Sequence, residues 1–143
     1  MTAPSSPPGD ILAFDVGAVR IGVARASTLV QLPEPLTTIP NDETVWEAIV
    51  GLCATYNAVT AVVGLPRGLD GQETTQTEVA RVFADRLLAM VRIPVVLQDE
   101  AVTSRKAEEE LAARGKPYVK GDIDALAATY ILEDYLHAQR GKI

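Results

Sequence analysis

Apolar residues along the chain alternate between strand-like and helix-like spacing. Two short apolar segments, 11–14 and 21–24, are separated by a loop that contains a glycine, which predicts a β-hairpin. A third strand is predicted at 36–39, where interrupting prolines favour the edge of a sheet. Two β-branched runs typical of buried parallel strands follow, at 59–63 and 93–97.

Four segments have the pattern of helices, and they cover 42–56, 75–91, 103–114 and 123–138. Asn41 is positioned to cap the first helix, while Thr75 and Glu78 have capping-box spacing in the second. The third segment is mostly charged, so we expect it at the periphery of the fold. The second helix is expected to bury an apolar stripe composed of Val79, Val82, Phe83, Leu87 and Met90.

The order of these elements predicts one α/β domain with a mixed sheet. The domain is expected to cover residues 10–143, because neither an internal repeat nor a second domain is visible there. Residues 1–9 are rich in proline and serine and are expected to form a disordered tail. At 143 residues, such a domain would bury roughly 70% of the surface of its unfolded chain.

Composition narrows the class of protein. No apolar run approaches the ~20 residues that a bilayer span needs, and no signal sequence is recognisable, so we expect a cytoplasmic protein without membrane contact. The single cysteine and the single histidine exclude an intramolecular disulfide and metal sites built from several such residues. Cys53 is expected in the core, and His137 on the surface near the end of the last helix.

The charge of the chain is acidic overall but unevenly distributed. The formal net charge is −6, whereas nucleic-acid-binding proteins usually carry a basic excess. In residues 1–66 the only cations are Arg20 and Arg25. A basic face on an acidic protein is nevertheless permitted by a group of cations between positions 105 and 120, namely Arg105, Lys106, Arg114, Lys116 and Lys120.

Carboxylates at the ends of predicted elements are the main candidates for chemistry. Asp15 ends the first strand, and Asp99 and Glu100 end the last one. Asp124 lies in the first turn of the final helix, on its apolar face, and is therefore expected to face the sheet. Ligands of open α/β sheets bind beyond the carboxyl ends of the strands, so these carboxylates would meet there if the strands are parallel and close. Position alone does not rank Asp99 against Glu100.

Each carboxylate also has a structural explanation. Asp15 could form a turn, Asp124 could complement the helix dipole, and Asp99 and Glu100 could be solvated loop residues. Converging carboxylates repel one another unless a divalent cation lies between them, and oxygen ligands suit Mg²⁺ or Mn²⁺. Such ions activate water and stabilise both oxygens of an in-line phosphoryl displacement. If the carboxylates converge, the sequence therefore predicts phosphodiester chemistry.

Four further residues are candidates for binding substrate. Gly17, just after Asp15, permits close approach to a phosphate or serves a turn, while Arg20 and Arg67 lie in loops where they could contact phosphates. Thr103 could touch a backbone phosphate or act only as a helix cap. The glycine-rich phosphate-binding patterns GxxxxGK[ST] and GxGxxG do not occur in the sequence.

Four blocks of the sequence resemble one known family in order and spacing. They are ILAFDVG followed by RIGVA at 11–24, VGLP and DG at 63–71, the Asp99–Glu100 pair followed by Thr103, and KGDIDALAA at 120–128. The chain is similar, over about residues 10–137, to the YqgF (RuvX) family of Holliday-junction-resolvase-like proteins.

The resemblance implies an RNase H-like fold, with a five-stranded mixed sheet flanked by helices. It also implies a metal-dependent nuclease that uses two Mg²⁺ or Mn²⁺ ions held by Asp15, Glu100 and Asp124, and it selects Glu100 over Asp99. The family is linked to processing of the 5′ end of precursor 16S ribosomal RNA and, by analogy of fold, to cleavage of branched DNA. We therefore expect a nuclease that processes precursor 16S rRNA in ribosome biogenesis.

Other functions stay open. A Holliday junction resolvase in recombination and repair would act as a homodimer because it cuts two strands, whereas an RNA-processing nuclease could be a monomer. A non-catalytic module that binds nucleic acid or protein is favoured by the acidic charge and by Ala101, where the family usually has arginine. A phosphotransferase of the actin-like class is disfavoured because the chain has no room for a second domain.

Overall fold

A computed structural model describes residues 8–100 and 103–141, without the side chains of residues 103–106. The predicted disordered tail falls mainly on residues 1–7, outside the described residues, and stays a prediction. The side chain of Thr103, a predicted substrate contact, is also outside them. In chain order the elements are β1 (Asp10–Val16), β2 (Arg20–Ser27), β3 (Glu34–Pro40), α1 (Val45–Thr55), β4 (Ala58–Pro66), α2 (Thr75–Met90), β5 (Val95–Glu100), α3 (Thr103–Ala113) and α4 (Lys120–Arg140).

The five strands form one mixed sheet in the order β3-β2-β1-β4-β5. Strands β1, β2 and β3 pair antiparallel, while β4 lies parallel to both β1 and β5. The predicted hairpin and the edge position of β3 are therefore confirmed. Because β1, β4 and β5 run in the same direction, their carboxyl ends lie at one edge of the sheet.

Alternating side chains of the central strands pack into two cores on opposite faces of the sheet. On β1, Leu12 and Phe14 pack with helices α1 and α2, whereas Ile11 and Ala13 pack with helix α4. Burial on both faces explains why β1 and β4 are nearly continuous apolar runs in the sequence. Helix α3 packs outside α4 through Ala107, in the peripheral position that its charged sequence predicts.

Helix α2 differs from its predicted form at its start and along its buried face. The capping box consists of Thr74 and Thr77, one residue earlier than the predicted pair Thr75 and Glu78. The hydroxyl of Thr77 also donates to the carbonyl of Pro66, which fixes the helix on strand β4. The buried face consequently contains Thr77, Ala80, Phe83, Ala84 and Leu87, and three residues of the predicted stripe are exposed instead, namely Val79, Val82 and Met90.

None of the helices in the described part of the chain has the length and apolar content that a membrane crossing needs.

Candidate active site

Asp15 and Asp124 meet where helix α4 crosses the β1–β2 hairpin. In the hairpin register Asp15 lies directly opposite Gly22. A Cβ atom on Gly22 would overlap the carbonyl oxygen of Asp124, so glycine is what allows the α4 backbone to approach the sheet here. As a result, the first turns of α4 bring Asp124 onto the sheet face that carries Asp15.

The environment of Asp15 disfavours its negative charge. Burial, and secondly the charge of Asp124, raise the pKa of Asp15 from 3.8 to about 7. The carboxyl group therefore stays largely protonated below neutral pH unless a positive charge compensates it. Such a raised pKa is typical of functional sites, although structural carboxylates can show it as well.

Arg20 neutralises Asp124. Its Nε donates to Oδ2 of Asp124 at 2.7 Å, and the arginine side chain is 36% exposed. Arg20 is the first residue of strand β2, so the guanidinium lies at the edge of the sheet where Asp15 also lies. Arg20, which was predicted to contact phosphate, thus lies beside the carboxylate pair and is held there by Asp124.

The turn between β1 and β2 is fixed by hydrogen bonds from both sides. The N–H of Gly17 donates to the carbonyl of Arg20 at 2.9 Å, and the side chain of Asn41 donates to the carbonyl of Gly17 at 2.8 Å. Asn41 does not cap helix α1, contrary to prediction, because Thr44 is the N-cap residue. Two roles were predicted for Gly17, a turn or close approach to a phosphate, and the structure shows the turn.

Asp99 and Glu100 point to opposite faces of strand β5. In the register of β5 against β4, Glu100 is paired with Pro66. Pro66 lies two residues after Gly64, and Gly64 faces Ile131 of helix α4. Since side chains alternate along a strand, Glu100 lies on the α4 face, the same face as Asp15. Glu100 is 9% exposed, whereas Asp99 is exposed on the other face.

Arg67 is directed towards acidic groups away from the carboxylate pair. Its Nη2 lies 3.1 Å from Oδ1 of Asp99, and its Nη1 lies 4.0 Å from Oε2 of Glu73. Its backbone N–H donates to the carbonyl of Glu100 at 3.0 Å, which links the loop after β4 to the end of β5. The predicted phosphate contact of Arg67 stays a prediction.

The site supplies carboxylate oxygens, the donors that hard divalent cations prefer. Within the described residues, no group of three or more carboxylate, histidine or cysteine side chains is arranged to hold a metal ion. Asp15 and Asp124 are, however, close enough for the charge of one to raise the pKa of the other. Mg²⁺ is commonly bound by one or two carboxylates together with water and substrate phosphates. The pair therefore fits such an ion, and Glu100 lies on the same face of the sheet, at the end of strand β5.

The chain has an RNase H-like fold, since its architecture is similar to those of RuvC-like resolvases. The structure of Thermus thermophilus RuvC in complex with a Holliday junction substrate matches with a TM-score of 0.57 at 13% identity, covering 92% of this chain and 96% of that one. The fowlpox virus resolvase in complex with Holliday junction DNA matches with a TM-score of 0.52 at 10% identity, covering 91% and 98%.

Sequence comparison identifies the family. The model of the RuvX family, described as Holliday junction resolvase, matches residues 9–138, so the chain belongs to this family. A protein of Thiobacillus denitrificans named "Putative pre-16S rRNA nuclease" is 42% identical, covering 92% of this chain and 93% of the relative. A protein of Glaesserella parasuis with the same name is 38% identical, covering 90% and 96%.

Two site features were not predicted from the sequence. Gly22 is an isolated glycine inside an apolar strand, a signal of close backbone approach that could have indicated the contact with helix α4. The ion pair between Arg20 and Asp124 joins residues 104 positions apart, and no local pattern reveals it.

Proposed function

We propose that this chain is a divalent-metal-dependent nuclease that cleaves phosphodiester bonds in precursor 16S ribosomal RNA, with its reaction centre at Asp15, Glu100 and Asp124. The observation that carries the proposal is the convergence of Asp15 and Asp124 on the α4 face of the sheet, where burial, and secondly the charge of Asp124, raise the pKa of Asp15. Membership of the RuvX family supports nuclease activity, and the names of the relatives support the RNA substrate.

Asp15 and Asp124 are the residues proposed to hold the metal, with Glu100 contributing from strand β5. A bound Mg²⁺ or Mn²⁺, with two ions expected, supplies an activated water and stabilises charge on the phosphoryl oxygens. Asp15 then serves as an ionised ligand, because a nearby cation favours the carboxylate over the protonated form. The burial of Glu100 keeps its side chain oriented and limits access of bulk water on that side.

Arg20 is proposed to bind the phosphate backbone next to the reaction centre. Its guanidinium is partly exposed and already lies within hydrogen-bonding distance of Asp124. When the charge of Asp124 is neutralised instead by a bound metal ion, the guanidinium of Arg20 can form a bidentate contact with a phosphate. Gly17 allows the tight turn before Arg20, because a Cβ atom there would overlap the carbonyl oxygen of Arg20. A cytoplasmic location is consistent with ribosomal RNA as the substrate and is part of the proposal.

Cleavage of branched DNA is the second candidate function. The likeness of fold to two resolvases and the description of the RuvX family favour it. Cutting two strands of a junction symmetrically calls for two active sites, so this function requires a homodimer, whereas the RNA function allows a monomer.

A cleavage panel tests the proposal. The wild-type protein and Asp15→Asn would be incubated with a precursor 16S rRNA 5′ leader, single-stranded DNA and a four-way junction, each with Mg²⁺, Mn²⁺ or EDTA. We expect metal-dependent cleavage of the RNA leader that is lost in EDTA and in the variant. Preferential cutting of the junction would replace RNA with branched DNA as the substrate. If a folded wild-type protein cuts nothing, the nuclease proposal is wrong and a binding module is the better explanation.

A further inference from the structure

A pocket of about 240 Å³ lies at the turn between helices α3 and α4. It is lined by the turn residues Arg114, Lys116, Pro117 and Tyr118 and by apolar residues that include Leu111 and Leu126. We call it the α3–α4 pocket. It is smaller than the 300–1,000 Å³ or so of pockets for drug-sized ligands, so it fits a group about as large as one planar ring system. Its lining combines cations, the carboxylate of Asp122, an aromatic ring and apolar side chains.

The α3–α4 pocket lies close to the carboxylate site along the start of helix α4. Asp15, Gly22 and Thr38 form one row across strands β1, β2 and β3. The hydroxyl of Thr38 donates to the carbonyl of Gly121 at 2.6 Å, which holds the start of α4 over the edge strand. Since neighbouring strands are about 4.8 Å apart, this anchor is roughly 10 Å from Asp15. At the stacked spacing of about 3.4 Å per nucleotide, a strand covers that distance in about three nucleotides, and an unstacked strand needs fewer.

Three cations lie at this turn, namely Arg114, Lys116 and Lys120. Arg114 is paired with Glu110, its Nη2 2.9 Å from Oε2 of that residue, so the two lysines are the cations that a nucleic-acid strand can contact. The carboxylate of Asp122 is already used within the protein, because it accepts the N–H of Val119 at 3.0 Å. Lys116 and Lys120 are exposed and can therefore reach phosphates of a strand that passes the pocket.

We propose that the α3–α4 pocket binds one unstacked base of a single-stranded RNA segment, with the ring of Tyr118 against the base and Lys116 and Lys120 against the flanking phosphates. A base inside a duplex is stacked and paired, so it cannot enter this pocket without being extruded. Aromatic side chains stack on single-stranded bases with little sequence preference. The inference rests on the proposed function, because it specifies the form of the substrate as a flexible strand beside the cleavage site.

Binding without cleavage tests the inference. Fluorescence anisotropy in EDTA would compare a short single-stranded RNA, the same RNA in a duplex, and single-stranded RNAs in which one nucleotide after another is made abasic. We expect the single strand to bind more tightly than the duplex, and one abasic position to weaken binding. Tyr118→Ala should weaken binding of the intact strand by about 5- to 150-fold, the range for loss of one stacked base. It should have little effect on the strand that is abasic at the sensitive position, and Tyr118→Phe should bind as the wild type does.

A second set of variants separates the phosphate contacts from the base contact. Lys116→Ala should weaken the binding of all single-stranded probes alike. It should also reduce the slope of log affinity against log salt concentration by about one, the value for one phosphate contact. Arg92→Ala is the matched control, since this exposed arginine precedes β5 at the opposite edge of the sheet, and it should bind normally.

Two outcomes would overturn the inference. One is equal binding of duplex and single strand, and the other is a Tyr118→Ala effect that is absent or the same for intact and abasic strands. Because EDTA prevents metal-dependent cleavage, these outcomes do not depend on whether Asp15 supports turnover. Failure of the pocket and failure of the nuclease proposal are therefore distinguishable.

Discussion

Gly22 of strand β2 and Asp124 of helix α4 are in direct backbone contact, with the Asp124 carbonyl in the space that a side chain at position 22 would fill. Gly22 is also the hairpin partner of Asp15. One close approach of helix to sheet therefore determines how near the two carboxylates can come. Burial in this packing, and secondly the charge of Asp124, raise the pKa of Asp15.

Replacing Gly22 with alanine should separate helix α4 from the sheet. The added methyl group would overlap the Asp124 carbonyl, and overpacking of this kind costs about 1–3 kcal/mol of unfolding free energy. We also expect the cleavage rate to fall by roughly tenfold or more, since misplacement of about 1 Å can cost 100-fold in rate. Urea denaturation and single-turnover cleavage of the same protein measure the two effects.

Gly51→Ala is the matched control for that substitution. Gly51 lies in helix α1, and a Cβ there would have no neighbour within 4 Å. Alanine should therefore stabilise the protein by up to about 1 kcal/mol through helix propensity and leave cleavage unchanged. Equal stability and activity of Gly22→Ala and the wild type would contradict the packing described here.

The stability of the metal-free protein should fall as the pH rises from about 4 to about 7. The ordinary pKa of Asp15, which applies to the unfolded chain, is 3.8, and in the folded protein it is about 7. Between these two pH values the folded state therefore holds a proton that the unfolded state has lost. The difference of about three pKa units sets an upper limit of about 4 kcal/mol on this loss. Above pH 7 both states are ionised, and the contribution of Asp15 no longer changes.

Asp15→Asn should remove that pH dependence, because the amide is neutral at every pH. Urea denaturation in EDTA between pH 5 and pH 8 should show the variant to be more stable than the wild type at the alkaline end. Added Mg²⁺ should stabilise the wild type more than the variant, since a ligand of the folded state shifts the equilibrium towards it. Parallel pH curves for the two proteins would show that Asp15 does not titrate as described.

Arg20→Ala should strengthen metal binding while weakening substrate binding. The guanidinium of Arg20 competes with a cation for Asp124, and partly exposed ion pairs of this kind contribute about 0.2–1 kcal/mol. We therefore expect the Mn²⁺ affinity, measured by the loss of the free-ion signal in electron paramagnetic resonance, to rise by about 1.4- to 5-fold. The KM for the nucleic-acid substrate should increase because a phosphate contact is lost.

Arg25→Ala is the appropriate comparison for Arg20→Ala. Arg25 pairs with Asp10 and Glu34 near the other end of strand β2, so its loss should leave Mn²⁺ affinity unchanged. If both variants bind Mn²⁺ as the wild type does, Arg20 is not a competitor for the carboxylate site.

Local pattern was sufficient to predict the elements but not the contacts between them. The apolar run of β4 predicts a strand buried on both faces, and the structure confirms it. The run at 93–97 has the same pattern, but β5 lies at the edge of the sheet and is only partly buried. The buried face of α2 was predicted incorrectly, since small side chains such as Thr77 and Ala80 can be buried where the helix lies close to the sheet. Periodicity of large apolar residues does not detect such contacts.

The candidate site shows the same division between local and long-range information. Position at strand ends indicated Asp15 and the pair Asp99 and Glu100, but the choice within the pair depends on the register of β5 against β4. That register places Glu100 on the α4 face, in agreement with the residue selected by family resemblance. The ion pair of Arg20 with Asp124 depends on how α4 crosses the hairpin. That crossing cannot be predicted from the pattern of any single segment.

The central claim is that the carboxylates on the α4 face perform the cleavage, and the two neighbouring acids of strand β5 test it most directly. Single-turnover cleavage of the precursor 16S rRNA leader in Mg²⁺ would be measured for Glu100→Gln and Asp99→Asn. We predict that Glu100→Gln loses at least about 100-fold in rate, on the scale of losing one preorganised electrostatic group. Asp99→Asn, whose carboxylate pairs with Arg67 on the opposite face, should retain a rate within a few-fold of the wild type. A folded Glu100→Gln protein that cleaves at the wild-type rate, or a loss confined to Asp99→Asn, would contradict the account.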